Sequence, residues 1–488
     1  MNWLKRYQRP ICLFLILLSC YGYFLPRWAS WSQNSRLDLV MAIVDQGTLS
    51  IDDYYENTGD YAYYNGHYYS DKAPGVAFLG VPFYAVFKGI AAIPLVGRLM
   101  EKVSRSSAFE ATLTEGGTGV LEQKVYSAMA LYVVTFFTVS VPAALLGVLL
   151  VSMLGRWVAS EYTRLLVTLA YGLATPAFAY SGMLFSHQLV ASLLFAAFYL
   201  VFQQRGRPVH GGRMFLVGVL LGWAVISEYP AALIAGAVAL LALWYQRSVW
   251  TVVWGALGAL VPGGLLIAHN WLIFQSILPQ GYMYSVNYHQ LHDVGVISIT
   301  YPRADALWGI TFGSFRGLFF LSPILLLCVP GFVLWLRRRI YVPEWIVSVW
   351  AVVSFLLFNG SSVMWQGGYA VGPRYLVPML PFMAIGLAVA WETLRVRLAG
   401  RIVAGVLVAW SVAAIWLETI SGQGFPDWTP NPLFNYSWPR FVAGDIARNV
   451  GMGIGLHGHV SLLPLFVVLV GLGLLWFYRP LGRKEIAL

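Results

Sequence analysis

Arg36-Leu-Asp38, Asp45, Asp52-Asp53, Glu56, Asp60 and then His67-Tyr-Tyr-Ser-Asp71-Lys72-Ala-Pro74-Gly75 mark a stretch unlike the rest of the chain. Within these 40 positions lie seven of the 21 acidic residues, in a sequence that is only 11% charged. Tyr54, Tyr55, Tyr61, Tyr63, Tyr64, Tyr68 and Tyr69 are interleaved with the acids. Aromatic rings stack on the C–H faces of sugars while carboxylates accept hydroxyl protons, so the mixture reads as a binding surface for a polyhydroxylated ligand.

Around this stretch the chain is apolar. Its 488 residues are 59% hydrophobic, with a mean hydropathy of +0.68 and 20 Trp. A soluble domain carries about 25% charged residues, so this composition with long apolar runs reads as one integral membrane domain over residues 1–488. The net charge of +10 is not a nucleic-acid footprint, because Arg and Lys sit in short clusters between apolar runs, as orientation signals do. Cys12, Cys20 and Cys328 all lie inside apolar runs, which leaves neither a disulfide framework nor a zinc spacing. Lys5, Arg6 and Arg9 followed by an apolar run read as an uncleaved anchor.

A spanning helix needs about 20 mostly apolar residues, and the runs that approach this are 11–28, 74–97, 125–154, 163–184, 188–204, 214–246, 249–274, 317–336, 344–360, 376–394, 402–420 and 460–478. Two are ambiguous: 74–97 is interrupted by Pro82, Lys88 and Pro94, and 214–246 carries Ser227-Glu228-Tyr-Pro230 at its centre. If 74–97 lies in the interface and 214–246 is a hairpin bent at Pro230, every positive cluster falls on one side. These are Lys5–Arg9, Arg156 with Arg164, Arg205–Arg213, Arg247, Arg337–Arg339, Arg395–Arg401 and Arg479–Lys484. The expectation is an all-α polytopic protein with about twelve spanning helices and both termini cytoplasmic in the plasma membrane. The segments 29–123, 275–316, 360–375 and 421–459 are then external, the first carrying interfacial helices.

Candidate chemistry collects on that side. Asp38, on a helical stretch beyond the first span, is placed as a general base; Asp52, Asp60 and Asp71 are its rivals. Lys72 stands just before the interfacial run, at headgroup depth, suited to a lipid phosphate. Arg316, in Phe312-Gly-Ser-Phe-Arg316, and Arg374, in Gly367-Gly-Tyr-Ala-Val-Gly372-Pro-Arg374-Tyr375, each follow glycines at the outer start of a span. Both are candidates for the same phosphate. His67, Tyr69, His187, Glu228, His269 and Tyr375 complete a candidate substrate pocket. Walker, dinucleotide-binding, HExxH and GxSxG motifs are all missing, so an activated substrate would be lipid-borne. Asn435-Tyr-Ser437 is a glycosylation sequon on the external side.

With the acid-bearing stretch Arg36–Gly47 and the later Tyr69-Ser-Asp71-Lys72-Ala-Pro74, the chain resembles the GT-C-type glycosyltransferases. The group in question contains bacterial lipid A aminoarabinose transferases and protein O-mannosyltransferases. The resemblance implies a polyprenyl-phosphate sugar donor, with Lys72 on its phosphate, Asp38 as the base and a glycan, lipid or protein acceptor. The family often has a paired acid nearer the helix end, where this chain has Trp31-Ser-Gln-Asn34-Ser-Arg36. The function expected is hexosyl or pentosyl transfer with inversion at the external, periplasmic face. No cofactor is required, although the acid cluster has groups that would suit a divalent metal. The competing readings are a flippase of lipid-linked sugars, which would need polar breaks at mid-membrane, and a lipid-linked glycan ligase or polymerase, which would need its long external loop late in the chain.

Overall fold

The structure, a computed structural model, describes residues 2–27, 30–105, 121–296, 298–425 and 429–478. Among these residues eight helices are long and apolar enough to cross a membrane, or nine if one bent pair counts as a single span. They are Lys124–Leu154, Ser186–Gln203, Tyr229–Gln246, Val249–Phe274, Val342–Gly360, Arg374–Leu394, Leu398–Ile420 and Gly458–Phe477. The expectation of about twelve continuous spans is not met. The run 163–184 divides into Glu161–Leu173 and Ala177–Ser181 around Pro176. The run 317–336 is broken by a 3-10 turn at Pro323–Leu327 before Cys328–Arg338. Proline removes a donor and clashes with the preceding turn, so both breaks have a local cause.

The positive clusters that are described gather at one end of the bundle. Arg9 pairs with Glu161, Arg395 with Glu392 at 2.9 Å, and Thr163 also donates to Glu392, at 2.5 Å. Arg338 reaches Thr393 at 3.3 Å, and Arg205 stacks 4.8 Å over Tyr341. The Gln246 amide ties this corner together by donating to the Gln204 and Arg207 carbonyls. Arg479–Lys484 lie outside the described residues.

The other end is built from the polar segments. Helix α1 (Asn2–Tyr23) is followed by α2 (Trp31–Met41), whose residues from Ser32 to Met41 are all buried. A hairpin follows, with β1 (Tyr61–Tyr64) antiparallel to β2 (His67–Ser70) in the register Tyr61 to Ser70 and Tyr64 to His67. Asn65 and Gly66 form its turn, both at positive φ (49° and 86°), which Asn and Gly tolerate and which matches strand twist. Loop residues extend the small sheet: the Tyr63 amide donates to Tyr284 and the Val286 amide to Tyr61, at 3.0 and 3.1 Å.

The run 74–97 is a bent pair. Helices α3 (Gly75–Ala91) and α4 (Pro94–Ser104) meet at 92°. The start of α3 is pressed so closely on the chain at Ser227 that a Cβ on Gly75 would lie 2.4 Å from the Ser227 hydroxyl, so only glycine fits there. The run 214–246 divides at Glu228, which is extended (φ −161°) between the helix Gly211–Ser227 and the turn Tyr229–Ala231.

This two-ended arrangement predicts that cysteines introduced at exposed Val294 and Arg207, in a background without Cys12, Cys20 and Cys328, react with an impermeant maleimide from opposite faces of the membrane. Labelling of both from one face would contradict the fold.

Candidate active site

Closing a hairpin brings the residues flanking it together, and here those residues are Asp60 and Asp71. Both carboxylates lie 3.0 Å from the Lys72 ammonium. Helix α2 fixes this junction. The Ser35 hydroxyl donates to the Asp60 carbonyl at 2.6 Å and lies 2.7 Å from the Ser70 hydroxyl. Asn34 donates to Asn57 at 2.8 Å, and from the other side Ser285 donates to the second Asp71 oxygen at 2.9 Å. Burial acts to lower the Lys72 ammonium, but Asp60 and then Asp71 more than reverse it, so the side chain is held above its ordinary value and stays charged. Burial is the largest influence on Asp71 and pushes its carboxyl up, against the pull of Lys72.

Lys72 and Asp60 face a cavity of about 1380 Å³. Single small-molecule pockets are about 300–1,000 Å³, so this one has room for more than one ligand. Among the described residues, four basic side chains line it, Arg27, Arg36, Lys72 and Arg374, against two acids, Asp60 and Glu228. The excess of positive charge favours an anion. Arg36 is anchored along α2, its Nη1 donating to the Ser32 carbonyl and hydroxyl at 2.5 and 2.6 Å and its Nη2 to Ser186 at 3.4 Å. Arg374 lies between the rings of Phe185 and Tyr375, 5.0 and 4.9 Å from their centroids, and donates to the Tyr375 hydroxyl at 3.1 Å. Glu228, released from helical geometry by the break before Pro230, accepts from His187 Nδ1 at 2.8 Å and from Ser186 at 3.2 Å.

The sequence candidates separate on this geometry. Asp60, Lys72, His187, Glu228, Arg374 and Tyr375 line the cavity together. Asp71 touches it only through Lys72. Asp38, fully buried, reaches Asn57 at 3.5 Å and does not line the cavity; burial pushes its carboxyl well up. Asp52 braces the hairpin, accepting from the Tyr68 amide and from His67, each at 2.7 Å, and neither Asp52 nor His67 lines the cavity. Tyr69 packs against Phe274, 6.0 Å between centroids, and His269 against Phe78 at 5.7 Å; neither lines the cavity.

Arg316 is placed otherwise than expected. Its Nε, Nη1 and Nη2 donate to the carbonyls of Gln366, Ala370 and Gly368 at 3.2, 2.8 and 2.7 Å, so it staples the glycine loop and does not face the cavity. That loop in turn seats Arg374, since a Cβ on Gly367 (φ 71°) would stand 3.1 Å from the Arg374 Nε.

Sequence reasoning missed Arg36 as a cavity residue, and also Gln33, Tyr282, Tyr288 and His292. The polar run Ser32-Gln33-Asn34-Ser35 at the start of a wholly buried helix was the available signal for Arg36. The tyrosines of loop 275–316 carried none. Tyr282 and Tyr288 are both pushed up to about 12, by burial first, and Lys72 lies 5.8 Å over the Tyr288 ring. No group of three or more His, Cys, Asp or Glu able to hold a metal ion occurs among the described residues.

The clamp predicts a double-mutant signature. Removing one partner of a buried ion pair costs about 3–5 kcal/mol, so Lys72→Ala is expected to lower the unfolding midpoint strongly, by leaving Asp60 and Asp71 face to face. Adding Asp71→Asn should recover much of that loss, whereas additive losses would contradict the clamp. A raised Lys contributes fully below its unfolded value of about 10.4 and loses its contribution only as pH rises through the higher folded value. The Lys72 contribution should therefore not vary between about pH 6 and 9.

No protein-family model and no curated protein sequence matches the chain. Among solved structures it is similar to ArnT from Cupriavidus metallidurans in the apo state, with 14% identity over 97% of this chain and 75% of that one and a TM-score of 0.49.

Proposed function

We propose that this protein is a membrane glycosyltransferase that moves a sugar from a polyprenyl-phosphate donor to an acceptor hydroxyl. One observation carries the reading: in one large cavity Lys72, paired with Asp60 and Asp71, stands with Arg36 and Arg374 beside the carboxylate of Glu228. Lys72, Arg36 and Arg374 take the donor phosphate, as guanidinium and ammonium groups do in a partly desolvated site. Leu233, Phe358, Leu291, Val296 and Ile299 form an apolar wall suited to the start of a lipid tail. Trp31, Tyr229, Tyr369 and Tyr375 offer ring faces to sugars.

In the proposed reaction the acceptor oxygen attacks the anomeric carbon from the face opposite the phosphate. The C–O bond to phosphate breaks as the glycosidic bond forms, which inverts the centre. The electron pair stays on the lipid phosphate, where fixed positive charge stabilises it most as the bond breaks. The hydroxyl proton passes to a basic group on the cavity wall, and Asp60 and the Glu228–His187 pair are the groups available there. The positive-inside tendency places the basic end of the bundle in the cytoplasm and opens the cavity on the outer face of the plasma membrane.

Purified protein in nanodiscs should transfer label from polyprenyl-phosphate sugars to a membrane lipid extract. Arg374→Ala and Lys72→Ala should each reduce kcat/KM by about 100-fold or more, the loss of one or two charge-assisted contacts. Asp38→Asn and Asp52→Asn, which change residues outside the cavity lining, should remain within about threefold of wild type, as substitutions away from a site do. Full transfer by the Lys72 and Arg374 variants would remove the assignment. Movement of intact lipid-linked sugar without cleavage would favour a flippase.

A further inference from the structure

Asp60 is the only one of the four acids expected as base that faces the cavity, yet it is poorly placed for that role. Its carboxylate is 3.0 Å from the Lys72 ammonium, so its oxygen is already engaged in an ion pair. Glu228 is different. Among the described residues it pairs with no Lys or Arg; its oxygen is engaged by the Ser186 hydroxyl and by His187 Nδ1. A carboxylate only accepts hydrogen bonds, so Nδ1 carries the proton and donates it, which leaves the lone pair on Nε2.

The imidazole is rigidly held. It stacks on Phe185 (centroids 5.9 Å apart, 18° between planes) and meets Tyr375 and Tyr180 edge-on at 5.3 and 5.8 Å. The charged groups facing it are Glu228, Arg374 and Arg36, and the titratable ones are the two tyrosines. Two of these charges, Arg374 and Arg36, are the proposed phosphate ligands, so the ring stands beside the place where the bond breaks. A nucleophile's base needs a ring on the wall of the site whose far side is oriented by a third group, and His187 lines the cavity with its Nδ1 held by Glu228.

Resting on the transferase reading, we infer that His187 is the general base of the reaction and that Glu228 is its positioning residue. Nε2 removes the acceptor's hydroxyl proton as the new C–O bond forms. The imidazolium is stabilised by Glu228, and the proton then passes to the departing lipid phosphate or to water. Asp60, on this assignment, sets the charge and position of Lys72 and does not take the proton.

The test uses the full-length protein in nanodiscs with polyprenyl-phosphate mannose and polyprenyl-phosphate glucose as donors, a membrane lipid extract as acceptor, and release of polyprenyl phosphate as the readout. General-base catalysis is worth about 100- to 10,000-fold, so His187→Ala should lose kcat by that factor while KM for donor stays within about threefold. Added imidazole should restore part of the His187→Ala rate, a readout that a merely structural role would not move. Glu228→Gln should also lose kcat at unchanged donor KM, with Glu228→Asp recovering part of it. Wild-type-like kcat in His187→Ala, or a loss expressed only in donor KM and not rescued by imidazole, would overturn the assignment. A wild-type protein inert toward both donors, yet able to bind polyprenyl phosphate, would instead sink the transferase reading and the role of His187 with it.

Discussion

A lysine ammonium 3.0 Å from each of two carboxylates requires both acids to be delivered to one point, and a short hairpin does this. Asp60 precedes β1 and Asp71 follows β2, so pairing of the strands sets the acids side by side. The Asn65-Gly66 turn sets the register. Ser35 then holds the base of the hairpin through Asp60 and Ser70, which ties the clamp to the buried helix α2. The same helix carries Arg36 into the cavity. Shifting the strands by one residue would exchange the faces of every side chain and dissolve the site.

The apolar scaffold serves this junction through its irregularities. The break at Glu228 frees a carboxylate from an apolar helical hairpin, and Gly75 lets α3 begin hard against that break. The glycine loop at 366–372, stapled by Arg316, seats Arg374 where a helix begins. Most polar groups in the cavity therefore sit at a helix end or a loop, where backbone and charge are satisfied without crossing the apolar layer, while Arg36 reaches it from the middle of the buried helix α2. The described positive clusters occupy the other end, so the two ends differ in chemistry as well as in structure.

Much of this was legible. Charge clustering separated the two ends, and the serine–glutamate–tyrosine–proline element at 227–230 marked a hairpin that the structure breaks at Glu228. Lys72, Arg374, His187, Glu228 and Tyr375 were all visible as polar interruptions of apolar runs. The choice among acids was not legible, because it depends on strand pairing. Asp38, Asp52, Asp60 and Asp71 look alike in sequence, and only the hairpin separates Asp60 and Asp71 at its base from Asp52, which binds the Tyr68 amide. The Asn65-Gly66 pair was the signal that could have revealed it. Arg316 was misread because an arginine after glycines looks the same whether it faces a ligand or three carbonyl oxygens.

On the proposed reading the clamp at Lys72, with Arg36 and Arg374, holds a lipid phosphate, and a structure of the protein in a nanodisc with bound polyprenyl phosphate would show where that phosphate sits. The phosphate should be found within hydrogen-bond reach of the Lys72 ammonium and of at least one of the two guanidiniums, with the first isoprene units along Leu233 and Phe358. A phosphate resting elsewhere, at the basic end of the bundle or at Arg27 with Lys72 still closed on both carboxylates, would contradict it.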